Sequence, residues 1–184
     1  AGAASMLLAA CGSSASTNAA SGSSTGSAAA SCNGKKIAFA MRTNGNGLDY
    51  SAASLWIADV DLAAAPPAFS GVKKIWSPNG TYGTVTLPTF SPDSKWVAYQ
   101  RSNNSRSTVA GEVWIGNTDG TTEIRLDAAN GVPDLGLAPS VNWGPSFHPI
   151  AAGGYYWMAF ISQRAYGNTF NGANRQIWLA AVDG

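Results

Sequence analysis

The chain has 184 residues, with eleven Lys or Arg against ten Asp or Glu and a formal net charge of +1. Charged residues are 11% of the total, well under the roughly 25% of an average soluble domain. Basic residues do not interleave with aromatics in a stripe, which excludes the usual footprint of a nucleic-acid binder. Two cysteines, Cys11 and Cys32, and one histidine, His148, are too few for a disulfide framework or a zinc cluster. No metal and no cofactor is expected.

The chain does not open with Met, so a longer natural leader is expected. Residues 1–11 carry a short apolar run ending in small residues, the shape of a signal-peptide core and cleavage site. It is far below the roughly 20 apolar residues of a spanning helix. The ending Leu8-Ala9-Ala10-Cys11 resembles the bacterial lipobox, in which the peptidase cuts before the cysteine. The resemblance implies lipidation of Cys11. An ordinary signal peptide followed by an unrelated cysteine is the alternative. Residues 12–32 are nearly all Ser, Ala, Thr, Gly and Asn. Such a segment buries too little apolar surface to offset its ordering entropy, and it reads as a disordered tether. Gly22-Ser23-Ser24-Thr25-Gly26 matches the hydrolase elbow pattern. It lacks the strand before and the helix after that the elbow requires.

From residue 33 to 184 the sequence repeats. Ile37-Ala38-Phe39, Val97-Ala98-Tyr99 and Met158-Ala159-Phe160 share the order aliphatic, Ala, aromatic, with the Ala residues 60 and 61 apart. Further along each unit lie Leu55-Trp56-Ile57-Ala58, Val113-Trp114-Ile115-Gly116 and Ile177-Trp178-Leu179-Ala180. Each is followed three residues later by Asp61, Asp119 or Asp183. Short apolar runs bounded by turn residues are strand signals. Runs apolar at consecutive positions imply strands covered on both faces, as in the blades of a propeller. The middle unit reads as a complete blade: strands near 84–90, 96–101, 112–117 and 123–126.

Phe90-Ser91-Pro92-Asp93, then Lys95-Trp96-Val97-Ala98-Tyr99, Val113-Trp114-Ile115 and Asp119-Gly120, resembles the TolB-type WD40-like repeat. Ser94 stands where that repeat has Gly. In the third unit Trp143-Gly144-Pro145 stands for Phe-Ser-Pro. The resemblance implies an all-β fold: a partial β-propeller of about three four-stranded blades, a fragment of a six- to eight-bladed ring. The first unit begins at its second strand, so its inner strand is expected to come from a C-terminal end beyond residue 184 and to close the ring.

Residues with chemical potential have plain structural roles here. Trp56, Trp114 and Trp178 recur in the third strand and read as packing between blades. Trp76, Trp143 and Trp157 are less regular and are also read as packing. Asp61, Asp119 and Asp183 recur at turns, where Asp bonds its own backbone. His148 is a loop residue. Glu112 and Glu123, the only glutamates, form no acid/base pair, and no catalytic constellation is present. The connections 42–54, 102–111 and 163–175 all join second strands to third strands and therefore share one rim. Asn44, Asn46, Asp49, Tyr50, Asn103, Asn104, Arg106, Tyr166, Asn168 and Asn171 on these loops are the candidate partner-binding residues. The expected function is an exported, lipid-anchored binding or scaffold module of the bacterial cell envelope, taking a protein or saccharide partner. The alternative is the N-terminal propeller of a hydrolase or polysaccharide lyase.

Overall fold

A computed structural model describes residues 30–32, 35–46, 49–105, 110–132, 141–164 and 174–184. Three consecutive antiparallel units follow one another. The first holds β1 (Ala30–Cys32), β2 (Lys36–Asn46), β3 (Asp49–Asp61) and β4 (Ala68–Trp76). The second holds β5 (Thr84–Phe90), β6 (Trp96–Ser102), β7 (Gly111–Asn117) and β8 (Glu123–Arg125), followed by one helical turn, α1 (Asp127–Asn130). The third holds β9 (Asn142–Phe147), β10 (Tyr155–Ser162) and β11 (Gln176–Asp183). Each unit is a meander in which neighbours in sequence are neighbours in the sheet. The architecture is an arc of a β-propeller.

The same contact joins each blade to the next. The third strand of one blade meets the first strand of the following blade through a parallel bridge: Ala53 with Thr84, and Gly111 with Val141. Side chains of the third strands then sort by parity. Leu55 and Ile57 point into a core shared with Val85, Phe90, Val97 and Tyr99 of the second blade. Val113 and Ile115 point into a core shared with Phe147, Met158 and Phe160 of the third. The tryptophans point the other way. Trp114 packs on the first interface and Trp178 on the second. This explains why these strands are apolar at consecutive positions.

The third blade has the same pattern, and among the described residues no strand packs on the far face of β11. Ile177 and Leu179, which repeat Val113 and Ile115, are 80% and 70% exposed. On the same face Tyr155 and Trp157 are exposed and meet edge to face with centroids 6.4 Å apart. Trp157, read from sequence as a packing residue, is therefore a surface residue whose Nε1 donates to Ala152 O at 3.0 Å.

Two local readings are corrected. The first blade was expected to lack an inner strand of its own. Instead, residues 30–32, at the end of the segment read as a tether, pair with β2 in the register Ala30–Phe39, Ser31–Ala38 and Cys32–Ile37. Composition carries no trace of this pairing, since Ala, Ser and Cys give no strand pattern. The connection 42–54 is not a loop. β2 and β3 run on as a paired ribbon to Asn46 and Asp49, with irregularities between Arg42 and Gly45. Such bulges let Gly and Asn sit inside a ladder.

The turn between β5 and β6 follows its sequence closely. Ser94 N donates to Ser91 O at 2.9 Å. Asp93 Oδ1 accepts from Ser91 Oγ at 2.6 Å and from Lys95 N at 3.1 Å. Burial opposes ionisation of Asp93, but these bonds and one from Tyr156 outweigh it and hold the carboxyl below its ordinary value. Ser94 adopts φ +64°, the left-handed region that explains the glycine of the related repeats. Gly116 is required for a different reason: a Cβ there would lie 2.6 Å from Trp76 Nε1 of the first blade. In urea denaturation, Ser94→Gly is expected to raise stability by about 1 kcal/mol by removing left-handed strain. Gly116→Val is expected to lower it by about 1–3 kcal/mol by overpacking the interface.

Candidate functional site

The rim carrying the connections between second and third strands is built on buried polar groups. Gln100, fully buried in β6, donates from Nε2 to Ser102 Oγ at 2.7 Å and to Asn104 O at 3.3 Å. Its Oε1 accepts from Gly144 N of the third blade at 3.1 Å. Thr84 Oγ1 donates to Ser102 O at 2.8 Å. Asn130, at the end of α1, holds both polar groups of the Val113 backbone, at 2.9 and 2.8 Å. Buried polar groups with such partners give a core one arrangement rather than many. Here they fix where each rim connection leaves its blade.

The ribbon of the first blade leans on the second. Tyr50 N donates to Ser105 Oγ at 2.8 Å, and Ser105 N donates back to Tyr50 O at 3.0 Å. The Tyr50 ring is buried, with the Arg42 guanidinium 5.7 Å from its centroid. Tyr50 therefore belongs to the foundation of the rim rather than to its contact surface. Asn44 and Asn103 are exposed, and Asn104 is half-buried with its carbonyl engaged by Gln100 and Ser102. Asn46 and Asp49 form the last pair of the ribbon. Arg106, Tyr166, Asn168 and Asn171, like Cys11, lie outside the described residues. Among the described residues, the connections of the first two blades meet at Tyr50 and Ser105.

The turn residues behave as their positions imply. Asp61 Oδ1 accepts from Ala63 N at 2.9 Å, and Asp119 Oδ1 accepts from Thr121 Oγ1 at 2.6 Å and Thr121 N at 2.9 Å. Those bonds hold the Asp119 carboxyl below its ordinary value, the Thr121 hydroxyl contributing most. His148 Nδ1 lies 2.8 Å from Ile150 O within its own turn. Among the described residues no three His, Cys, Asp or Glu converge as a metal site.

Sequence reading overlooked two buried arginines. Arg101, 3% exposed, lies over the rings of Tyr99 and Trp114, at 5.9 and 5.3 Å from their centroids. Its Nε donates to Glu123 Oε1 at 2.7 Å, and Nη1 donates to Ser77 O of the first blade at 2.9 Å. Tyr99 Oη donates to the same carboxylate. Burial, then that bond, pushes the Tyr99 hydroxyl far above its ordinary range. Arg164, the second arginine, lies over Trp178 and Phe160. The available signal was the rarity of charge: Arg101 follows the repeat aromatic Tyr99 by two residues, and Arg164 follows Phe160 by four.

No family model and no curated protein matches the chain. Its fold is similar to that of TolB. The crystal structure of TolB from Acinetobacter baumannii superposes with a TM-score of 0.50 at 15% sequence identity, over 86% of this chain and 30% of that chain. At this identity the likeness concerns the fold. It agrees with the blade repeat read from sequence, and the chain spans about a third of the length of that protein.

The Tyr50–Ser105 contact yields a direct expectation. Ser105→Ala removes the hydroxyl that accepts from Tyr50 N, leaves the backbone bond from Ser105 N to Tyr50 O, and so loosens the ribbon. Limited proteolysis is expected to cut within residues 43–51 several-fold faster, with the urea midpoint of the whole arc little changed.

Proposed function

We propose that this chain is part of an exported binding propeller, held at the bacterial envelope by a lipid on Cys11, that engages a protein partner through its rim. The observation that carries the reading is the joined surface of the first two blades: the exposed Asn44 and Asn103 stand on a ribbon and a loop tied together at Tyr50 and Ser105. Binding residues are concentrated on loops that a rigid scaffold positions, and the buried amides of Gln100 and Asn130 provide that rigidity. The envelope location and the lipid anchor rest on the Leu8–Cys11 motif. The propeller fold of TolB is compatible with both.

Photo-crosslinking tests the reading in a bacterial host expressing the full reading frame. A photoreactive residue at position 44 or 103 is expected to trap discrete protein adducts. One at position 72, exposed on β4 away from the rim, is expected to trap none. Equal adducts from all three positions, or none from any, would remove the rim as the binding face. In the same cells Cys11→Ser is expected to move the protein from the membrane to the soluble fraction, and retention would remove the anchor.

A further inference from the structure

Three Asn-Gly pairs lie within the described residues: Asn44-Gly45, Asn79-Gly80 and Asn130-Gly131. An asparagine before glycine is open to attack on its side-chain carbonyl by the glycine nitrogen, because glycine places no Cβ beside that nitrogen. By sequence the three pairs are equivalent. The fold places them in three different environments.

Asn130 is fully buried and its carboxamide is held at both ends. Nδ2 donates to Val113 O at 2.8 Å and to Leu126 O at 2.9 Å, and Oδ1 accepts from Val113 N at 2.9 Å. The nitrogen that would attack, Gly131 N, donates to Ala128 O at 3.1 Å. Carboxamide and nucleophile are thus each held by other groups. Asn79 is exposed, but its Oδ1 accepts from Thr81 N at 3.0 Å and from Tyr82 N at 2.7 Å. That Asx turn directs the carboxamide past Gly80 to the residues beyond it.

Asn44 differs from both. It is exposed, and its Oδ1 accepts from Gly45 N itself at 2.8 Å. Cγ, one bond from Oδ1, therefore lies within reach of the attacking nitrogen. Gly45 has φ +109°, outside the regions that residues with a side chain adopt readily. The pairing of β2 with β3 is irregular on both sides of Asn44. Irregular pairing leaves a residue outside the regular ladder, so the local rotation that the attack requires breaks no continuous run of hydrogen bonds.

We propose that Asn44 is a self-modification site, which deamidates in the folded protein with water as its co-reactant. Gly45 N loses its proton and bonds to Asn44 Cγ. The bond from Cγ to Nδ2 breaks, and Nδ2 leaves as ammonia with the proton. The product is a succinimide ring closed on the main chain. Water then opens the ring at one of its two carbonyls. Opening at Cγ leaves an aspartate with the normal backbone. Opening at the Asn44 main-chain carbonyl leaves an isoaspartate, whose backbone runs through the side chain and is one carbon longer. Either product adds a negative charge to the connection between β2 and β3. On the reading of the rim as a binding face, that charge alters the face with age; the reaction itself does not rest on that reading.

The test incubates the protein in mildly alkaline buffer, once folded and once unfolded in guanidinium chloride. Samples taken over time are digested, and fragment mass spectra assign the conversion to Asn44, Asn79 or Asn130. In the folded protein Asn44 is expected to convert several-fold faster than Asn79, with Asn130 unchanged. In guanidinium chloride the three rates are expected to converge. Conversion of Asn44 no faster than Asn79 in the folded protein would overturn the proposal. So would the same excess of Asn44 over Asn79 in the unfolded chain, since the preference would then come from sequence and not from the geometry at Gly45. Both comparisons use the unaltered protein, so no variant has to fold.

Discussion

The stacking of one blade on the next is the contact on which the rest of this structure depends. A four-stranded blade is apolar on both faces and cannot bury either alone. Each third strand solves half of the problem by sending aliphatic side chains forward and a tryptophan backward. Leu55 and Ile57 meet Tyr99 and Phe90, and Trp114 returns to the same interface from the other side. Space is as tightly controlled as polarity. β7 passes between Trp76 of the first blade and Trp143 of the third, and Gly116 and Gly111 are where those rings come closest. Interiors packed at crystal-like density leave no tolerance for an extra methyl at such points.

Polar groups serve the same stacking. Arg101 and Arg164 lie within the interfaces and reach carbonyls of the blade behind them. Gln100 reaches forward to Gly144. A low-charge chain thus spends part of its few charges inside, where they set the angle and register between blades. The rim inherits its shape from these contacts, since the connections leave the blades beside Gln100, Ser102 and Asn130.

Much of this was legible in the sequence because it repeats. The aliphatic-Trp-aliphatic-small run encodes both the strand and which side chains face each neighbour, and the Pro-Asp turn marks where the second strand begins. What escaped reading has identifiable causes. β1 consists of Ala, Ser and Cys and exists through backbone pairing with β2, which leaves no side-chain pattern. The ribbon at Asn44 and Gly45 looked like a loop because bulges admit loop residues. The Arg101–Glu123 pair joins residues 22 apart across two strands, and no local spacing announces it. Tyr50 was read as a contact residue for its place on a connection; the burial of its ring places it underneath instead.

Hydrogen exchange across the three blades tests the stacking account most directly. If blade-on-blade burial carries the stability, amides of β6 and β7, covered on both faces, exchange only through global unfolding, whereas those of β11 exchange through smaller openings and orders of magnitude faster. Equal protection of β7 and β11 would contradict the account, because it would mean that a blade with one open face is as stable as one packed on both sides.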